Sequence, residues 1–171
     1  MRPIYTAIEK LERAPVHVAM VSEVSPTTKI IHMSDSSVHE ETLSEALKKT
    51  QWPYNIMSMK TGSYDGGKAV DYMREQIKRK PGFDHINGIL ANANTIGISQ
   101  SVVDSLKWWL RFDFFHKASD YVTCCEVVDN AIEFAKYGEV DEDDFIPNAS
   151  YFANELGVDT NMILPDGTYW A

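Results

Sequence analysis

Four residues, Thr123-Cys124-Cys125-Glu126, constrain this chain more than any other stretch, because they fix where a helix begins and what stands in its first turn. A threonine followed three residues later by a glutamate is a capping box: the hydroxyl accepts from the N–H of Glu126, and the carboxylate reaches back to the N–H of Thr123. Cys124 is then the first helical residue. There the unpaired backbone N–H groups and the positive end of the helix dipole favour thiolate over thiol, and the thiolate is the nucleophilic form. Helical spacing aligns Cys124 with Val127, Val128, Ala131, Ile132 and Ala135, an apolar stripe. Cys125 aligns with Asp129, Asn130 and Glu133 as well as Val128. Cys124 is therefore expected to look toward a core and Cys125 to leave it. The helix is expected to run to about Tyr137 and to end at Gly138, a fitting residue for a left-handed cap. A small cysteine on such a stripe also suits plain core filling, so a nucleophile needs a base from elsewhere in the chain.

Two upstream stretches supply one. Val16-His17-Val18-Ala19-Met20-Val21 and Lys29-Ile30-Ile31-His32-Met33 are nearly continuous apolar runs, of the kind found in buried strands. The polar, proline-bearing residues 22–28 between them suit a hairpin connection. With the turn centred between Val24 and Ser25, antiparallel pairing sets His17 directly opposite His32, with Cβ atoms roughly 4.5–5.5 Å apart. A slip of one residue would put them on opposite faces. Each histidine in such a strand needs a hydrogen-bond partner, since a buried polar group without one is costly. His116, a few residues before the cysteine helix, is the weaker rival for Cys124, because residues just ahead of a helix usually lie on surface loops.

Elsewhere, residues 4–13 read as a short amphipathic helix ended by Pro15, and residues 40–49 as a helix with Leu43, Ala46 and Leu47 inward, following a loop at 34–37. Residues 54–60 alternate as a third strand, residues 64–80 form a helix stopped by Pro81-Gly82, and 84–91 suits a short helix. A further helix fits 101–112. The group Trp108, Trp109, Phe112, Phe114 and Phe115 cannot all face one core from one helix, so it either packs between a helical insert and the sheet or offers a partner surface. The acidic run at 139–144 reads as a solvated loop without the spacing or glycine of an EF-hand. Pro147 opens a short helix to about Leu156, and residues 162–164 suit a last strand.

Composition excludes several functions. A length of 171 residues with 44% hydrophobic content suits a single domain, 1–171, with a helical insert at about 64–118, and no stretch has the apolar length of a membrane span. A net charge of −9 argues against nucleic acid, since Lys78-Arg79-Lys80 stands at a helix end, where cations complement the dipole. Two adjacent cysteines make neither a disulfide framework nor a zinc site, and no Cys/His cluster stands at ligand spacing, so no metal or cofactor is expected. Charged residues rather than an apolar leader follow Met1-Arg2-Pro3-Ile4. A cytoplasmic setting is the expectation, with export by another route or carriage in a particle left open.

His17-Val18-Ala19-Met20-Val21 on a strand, the polar residue within Ile30-Ile31-His32-Met33, and Tyr121-x-x-Cys124-x-Glu126-Val127-Val128 opening a helix together resemble the circularly permuted papain-like hydrolases of the NlpC group. That group includes YiiX-type proteins and relatives of lecithin retinol acyltransferase. Asp144-Phe145-Ile146-Pro147 and Tyr151-Phe152-Ala153-Asn154 are similar to the YiiX-type tail. Its members place the histidine before the cysteine, the reverse of papain, and orient that histidine with a polar residue on the next strand. The resemblance implies an α+β, permuted papain-like domain: an antiparallel sheet with the nucleophile helix packed on it. It implies Cys124 as nucleophile, His17 as base and His32 as the orienting group of a Cys-His-His triad. The activity implied is that of a cysteine hydrolase, of peptidase, amidase or thioesterase type, or an acyltransferase, on a peptide, isopeptide or acyl-ester substrate. The competing reading is a non-catalytic binding or assembly module that keeps the fold and meets a protein partner through the aromatic residues between Trp108 and Phe115.

Overall fold

A computed structural model describes residues 17–34, 37–49, 64–85, 88, 98, 99, 101, 102, 105 and 121–140. The two apolar runs form a hairpin, β1 (Met20–Glu23) and β2 (Lys29–Met33), and a third strand, β3 (Val38–Thr42), continues the antiparallel sheet in the order β1-β2-β3. Regular pairing starts at Met20 rather than Val16, so His17, Val18 and Ala19 lead into the sheet without belonging to it. The register also differs from the expected one. Met20 pairs with Ile31 and Val21 with Ile30, and a bulge then brings Glu23 opposite Lys29. The turn is therefore centred near Ser25 and Pro26, whose peptide bond is cis, and Pro26, lacking an N–H, stands outside the ladder. Extending the register places His17 diagonally beyond His32 instead of directly opposite. The shift is an even number of residues, so the face is preserved.

The expected helix at 40–49 begins three residues late, because its first three residues are strand. Glu40, Glu41 and Thr42 belong to β3, whose ladder with β2 runs from Lys29 opposite Thr42 to Met33 opposite Val38. Alternation decides this: Val38 is fully covered on the side of Ile31 and Met33, while His39 and Glu41 project to the other side. The helix α1 (Leu43–Lys49) begins only after Thr42, which forms its own capping box with Glu45: the Glu45 N–H donates to Thr42 Oγ1 and the Thr42 N–H to Glu45 Oε2, each at 3.2 Å. Ala46 is buried and Leu43 and Leu47 are half-buried, as expected from their spacing.

Asp65 caps α2 (Gly66–Arg79) by accepting from the Gly67 and Lys68 N–H groups at 2.9 and 3.3 Å, and Lys80 closes it in the left-handed region just before Pro81. A short parallel pair, β4 (Gly82–Phe83) with β5 (Tyr121–Val122), then delivers the chain to Thr123, the cap of α3 (Cys124–Tyr137). The exit from α3 has φ of 81° at Gly138, a conformation that favours glycine. The core is one layer of side chains: Ile31, Met33 and Val38 from the sheet, Ala69 and Met73 from α2, and Val127, Val128, Ala131, Ile132 and Ala135 from α3. Covering a side chain such as Ile31 or Val127 contributes about 1.5–3 kcal/mol before entropy is counted. Tyr72 of α2 also packs on Phe134 of α3, with ring centroids 5.4 Å apart.

The architecture is thus α+β, an antiparallel sheet covered by helices, with α3 packed on both the sheet and α2. His85 and Gly88 are helical, as are Ser101, Val102 and Ser105, in keeping with the helices expected at 84–91 and 101–112. Among the described residues no helix is long and apolar enough to cross a membrane. The expected helix at 4–13, the strand at 54–60, His116, the aromatic group from Trp108 to Phe115, and everything expected beyond Val140 lie outside the described residues.

Candidate active site

The capping box expected at the start of α3 is formed. Thr123 Oγ1 accepts from the Glu126 N–H at 3.1 Å, and the Thr123 N–H donates to Glu126 Oε2 at 2.6 Å. This places Cys124 at the first helical position, 7% exposed. Cys125 does not leave the core. It is 6% exposed, with its sulfur 3.9 Å from that of Cys124. The wheel that set it on a polar side assumed one packed face, whereas α3 packs on the sheet and on α2, which widens its buried stripe. The two thiols are driven apart in acidity. Cys124 is pulled well below an ordinary thiol, first by the hydrogen bond from Cys125, then by the charge and hydrogen bond of His17 and by the Val18 N–H, all against the effect of burial. Cys125 is pushed well above, because it keeps the proton it donates and is itself buried. Of the two sulfurs, Cys124 is therefore the one that favours the thiolate.

His17, just ahead of β1, lies against Cys124 and also reaches His32: His17 Nε2 is 2.9 Å from His32 Nδ1, with the rings edge to face. The next link was not expected from the sequence. His32 Nε2 is 2.8 Å from Glu41 Oε1, and the Lys49 ammonium at the end of α1 binds Glu41 Oε2. Burial alone would raise the Glu41 carboxyl, but hydrogen bonds from Lys49, His32 and His39 hold it at about 2, so it is ionised and can only accept. That fixes every proton along the chain. His32 must donate from Nε2, so its Nδ1 is an acceptor, and His17 must then donate to it from Nε2. His32 has to stay neutral for this, and burial followed by the neighbouring His17 charge lowers it to about 4, against the pull of Glu41.

The three residues expected from the sequence, Cys124, His17 and His32, are therefore brought together, and the link between the two histidines is diagonal. Strand alternation puts His32 on the side of β2 away from Ile31 and Met33. His17, at the end of the sheet, connects that side with the core side where Cys124 lies. Glu41 escaped the sequence reading because residues 40–49 were given to one helix. The signal that finds it is Thr42-x-x-Glu45, which marks the helix start and leaves 38–42 to a strand opposite β2.

Comparison with protein-family models, with curated proteins and with solved structures gave no match for this chain. Any functional reading rests on the geometry of these side chains.

Proposed function

We propose that this chain is a cysteine hydrolase of permuted papain-like type that cleaves an amide or ester bond through an acyl-enzyme on Cys124. The observation that supports it is the unbroken path from the Cys124 thiol through His17 and His32 to the Glu41 carboxylate. The Cys124 sulfur attacks the carbonyl carbon of the substrate. The resulting oxyanion is met by the Cys124 N–H, one of the donors that a helix start leaves without an intrahelical partner. The His17 imidazolium then gives its Nδ1 proton to the leaving amine or alcohol as the bond to carbon breaks. In the second half, water enters with His17 as base, the thioester breaks, and acid and thiol are regenerated. His32 and Glu41 hold the His17 tautomer and ring orientation, the task of the third member of a triad.

The test is alkylation with iodoacetamide at pH 6, followed by mass mapping. Each unit of lowered thiol pKa raises the thiolate fraction about tenfold and lowers the intrinsic reactivity of the thiolate only about threefold, so Cys124 should be alkylated faster than an ordinary thiol. His17→Ala should remove that advantage. With activated acyl esters, Cys124→Ala and His17→Ala should each abolish turnover, and the double variant should be no worse than either. An adduct on Cys125, or a Cys124 rate indifferent to His17→Ala, would return Cys124 to the role of a core side chain.

A further inference from the structure

His39 plays no part in the path from Cys124, yet its ring is held as a metal ligand is held. The β2–β3 register sets it directly opposite His32, and alternation puts Glu41, two residues on, on the same side of the sheet. His32 Nε2 and His39 Nε2 stand 2.8 and 3.3 Å from one and the same oxygen, Glu41 Oε1, and the three atoms lie within 4.8 Å of one another. His39 Nδ1 is 3.2 Å from the carbonyl oxygen of Ser37. A carbonyl only accepts, so His39 Nδ1 carries a proton and donates it there, and Nε2 is the ring atom turned toward the Glu41 carboxylate. Two imidazole nitrogens from facing strand positions thus converge on one carboxylate oxygen, the grouping that a bound cation uses. A histidine whose Nδ1–H is tied to a backbone carbonyl while Nε2 meets other donors is also the common setting of a metal-bound ring.

We propose that His32 Nε2, His39 Nε2 and Glu41 Oε1 form a site for a divalent cation of the zinc class, and that its occupation disconnects His32 from the orientation of His17. Two imidazoles and a carboxylate with a fourth position open is a zinc donor set, and the two nitrogens disfavour calcium and magnesium. Ligand atoms about 2.0–2.2 Å from a tetrahedral ion stand roughly 3.3–3.6 Å apart, and the two nitrogens already lie 2.8 and 3.3 Å from the carboxylate oxygen, with all three atoms within 4.8 Å of one another. Lys49 remains on the other oxygen, Oε2, and leaves Oε1 for the ion, although its charge weakens the site. The His39 side chain is 34% exposed, which gives the ion access. An ion on His32 Nε2 replaces the His32–Glu41 hydrogen bond. His32 keeps one proton, now on Nδ1, and His17 Nε2 can no longer donate to it. This second half rests on the hydrolase reading; the site itself does not.

Cobalt(II) is the probe. The wild-type chain should take up one equivalent with the visible absorption of tetrahedral cobalt, displaced by Zn2+, and Cys124→Ser should do the same, which excludes the thiols as ligands. His39→Gln, at a partly exposed strand position, should weaken uptake at least about tenfold, and Glu41→Gln likewise. Zn2+ should raise the thermal midpoint of the wild type and not of His39→Gln, a readout that holds even where a variant is less stable. Zn2+ should also slow alkylation of Cys124 in the wild type and leave the rate in His39→Gln independent of zinc. A wild type that takes up no cobalt, or uptake that survives His39→Gln, overturns the site and leaves a proton between His39 and Glu41. Uptake at these residues with no effect on alkylation overturns the coupling. Slow Cys124 alkylation in metal-free protein would sink the hydrolase reading, while the cobalt spectrum would still decide the site.

Discussion

Thr42-x-x-Glu45 and Thr123-x-x-Glu126 open two helices with one motif, and the two boxes have opposite surroundings. The box of α1 is open to solvent, and Glu45 is held below the ordinary carboxylate range by its hydrogen bonds with Thr42. The box of α3 is covered, with Thr123 only 3% exposed, and burial, opposed by the hydrogen bonds of Thr123, raises Glu126. The motif fixes a helix start in either place, because it satisfies orphan N–H groups locally. The environment sets what is lost when it fails. The two helices also hold opposite ends of one hydrogen-bonded path: the first turn of α3 carries Cys124, and the last turn of α1 carries Lys49 against Glu41.

The comparison breaks most visibly at the buried box. Thr123→Val keeps the shape, removes the acceptor for the Glu126 N–H and leaves that donor covered. The expected loss is about 1–2 kcal/mol, which at roughly 2–4 °C per kcal/mol in a chain of this size is a fall of several degrees in thermal midpoint. Alkylation of Cys124 at pH 6 should slow in the same variant, because the first turn that positions the sulfur is loosened. A fall no greater than that of Thr42→Val, measured side by side, would show that burial of the box is immaterial.

Acid should attack the path in the middle, with a smaller effect. The folded-state value of His32, about 4, lies below its ordinary 6.5, so the unfolded chain binds the extra proton first. Its contribution is therefore complete above pH 6.5 and is lost as pH falls from 6.5 toward 4. Glu41, lowered from 4.5 to about 2, adds a second loss between those two values. Glu126, raised, acts in the opposite sense: the folded state binds its proton first, and stability recovers somewhat as pH falls toward 4.5. Urea midpoints at pH 7 and pH 4.5 should differ in the wild type and draw closer in His32→Gln. An unchanged difference would mean that His32 is not the group being titrated.

Local chemistry made much of this legible and pairing made the rest illegible. Thr123, Gly138 and the Pro81-Gly82 stop act within a few residues, so both ends of α3 and the close of α2 follow from the sequence, whereas α2 starts only after the Asp65 cap, two residues later than apolar spacing suggests. The hairpin was readable as a hairpin, but its register depends on where Pro26 sits in the turn and on the bulge after Val21, neither of which apolar spacing reports. His17 and His32 survived that error because the shift was even. Glu41 did not survive the reading of 40–49 as helix, since Leu43, Ala46 and Leu47 have helical spacing and two glutamates suit a helix. Only the ladder to β2 makes 38–42 a strand, and that is a contact across the chain. Cys125 failed for a related reason: one helix cannot report that two layers will cover it.

The smallest effect belongs to the exposed box. Thr42→Val removes the acceptor for the Glu45 N–H, but water can take its place at a solvent-facing helix start. The expected loss is toward the low end of the roughly 0.5–2 kcal/mol range for cap removal. Its consequence for the site is indirect: α1 begins less firmly, and Lys49 in its last turn spends less time on Glu41. Glu41 keeps its hydrogen bond from His32, so the His17 tautomer is still fixed. Cys124 alkylation in Thr42→Val should therefore stay within about twofold of the wild type, as expected for a surface change away from the reacting groups. A Thr42→Val variant that loses as much Cys124 reactivity as Thr123→Val would mean that the Lys49–Glu41 contact, and not the tautomer set by Glu41 alone, governs the thiol at the other end of the path.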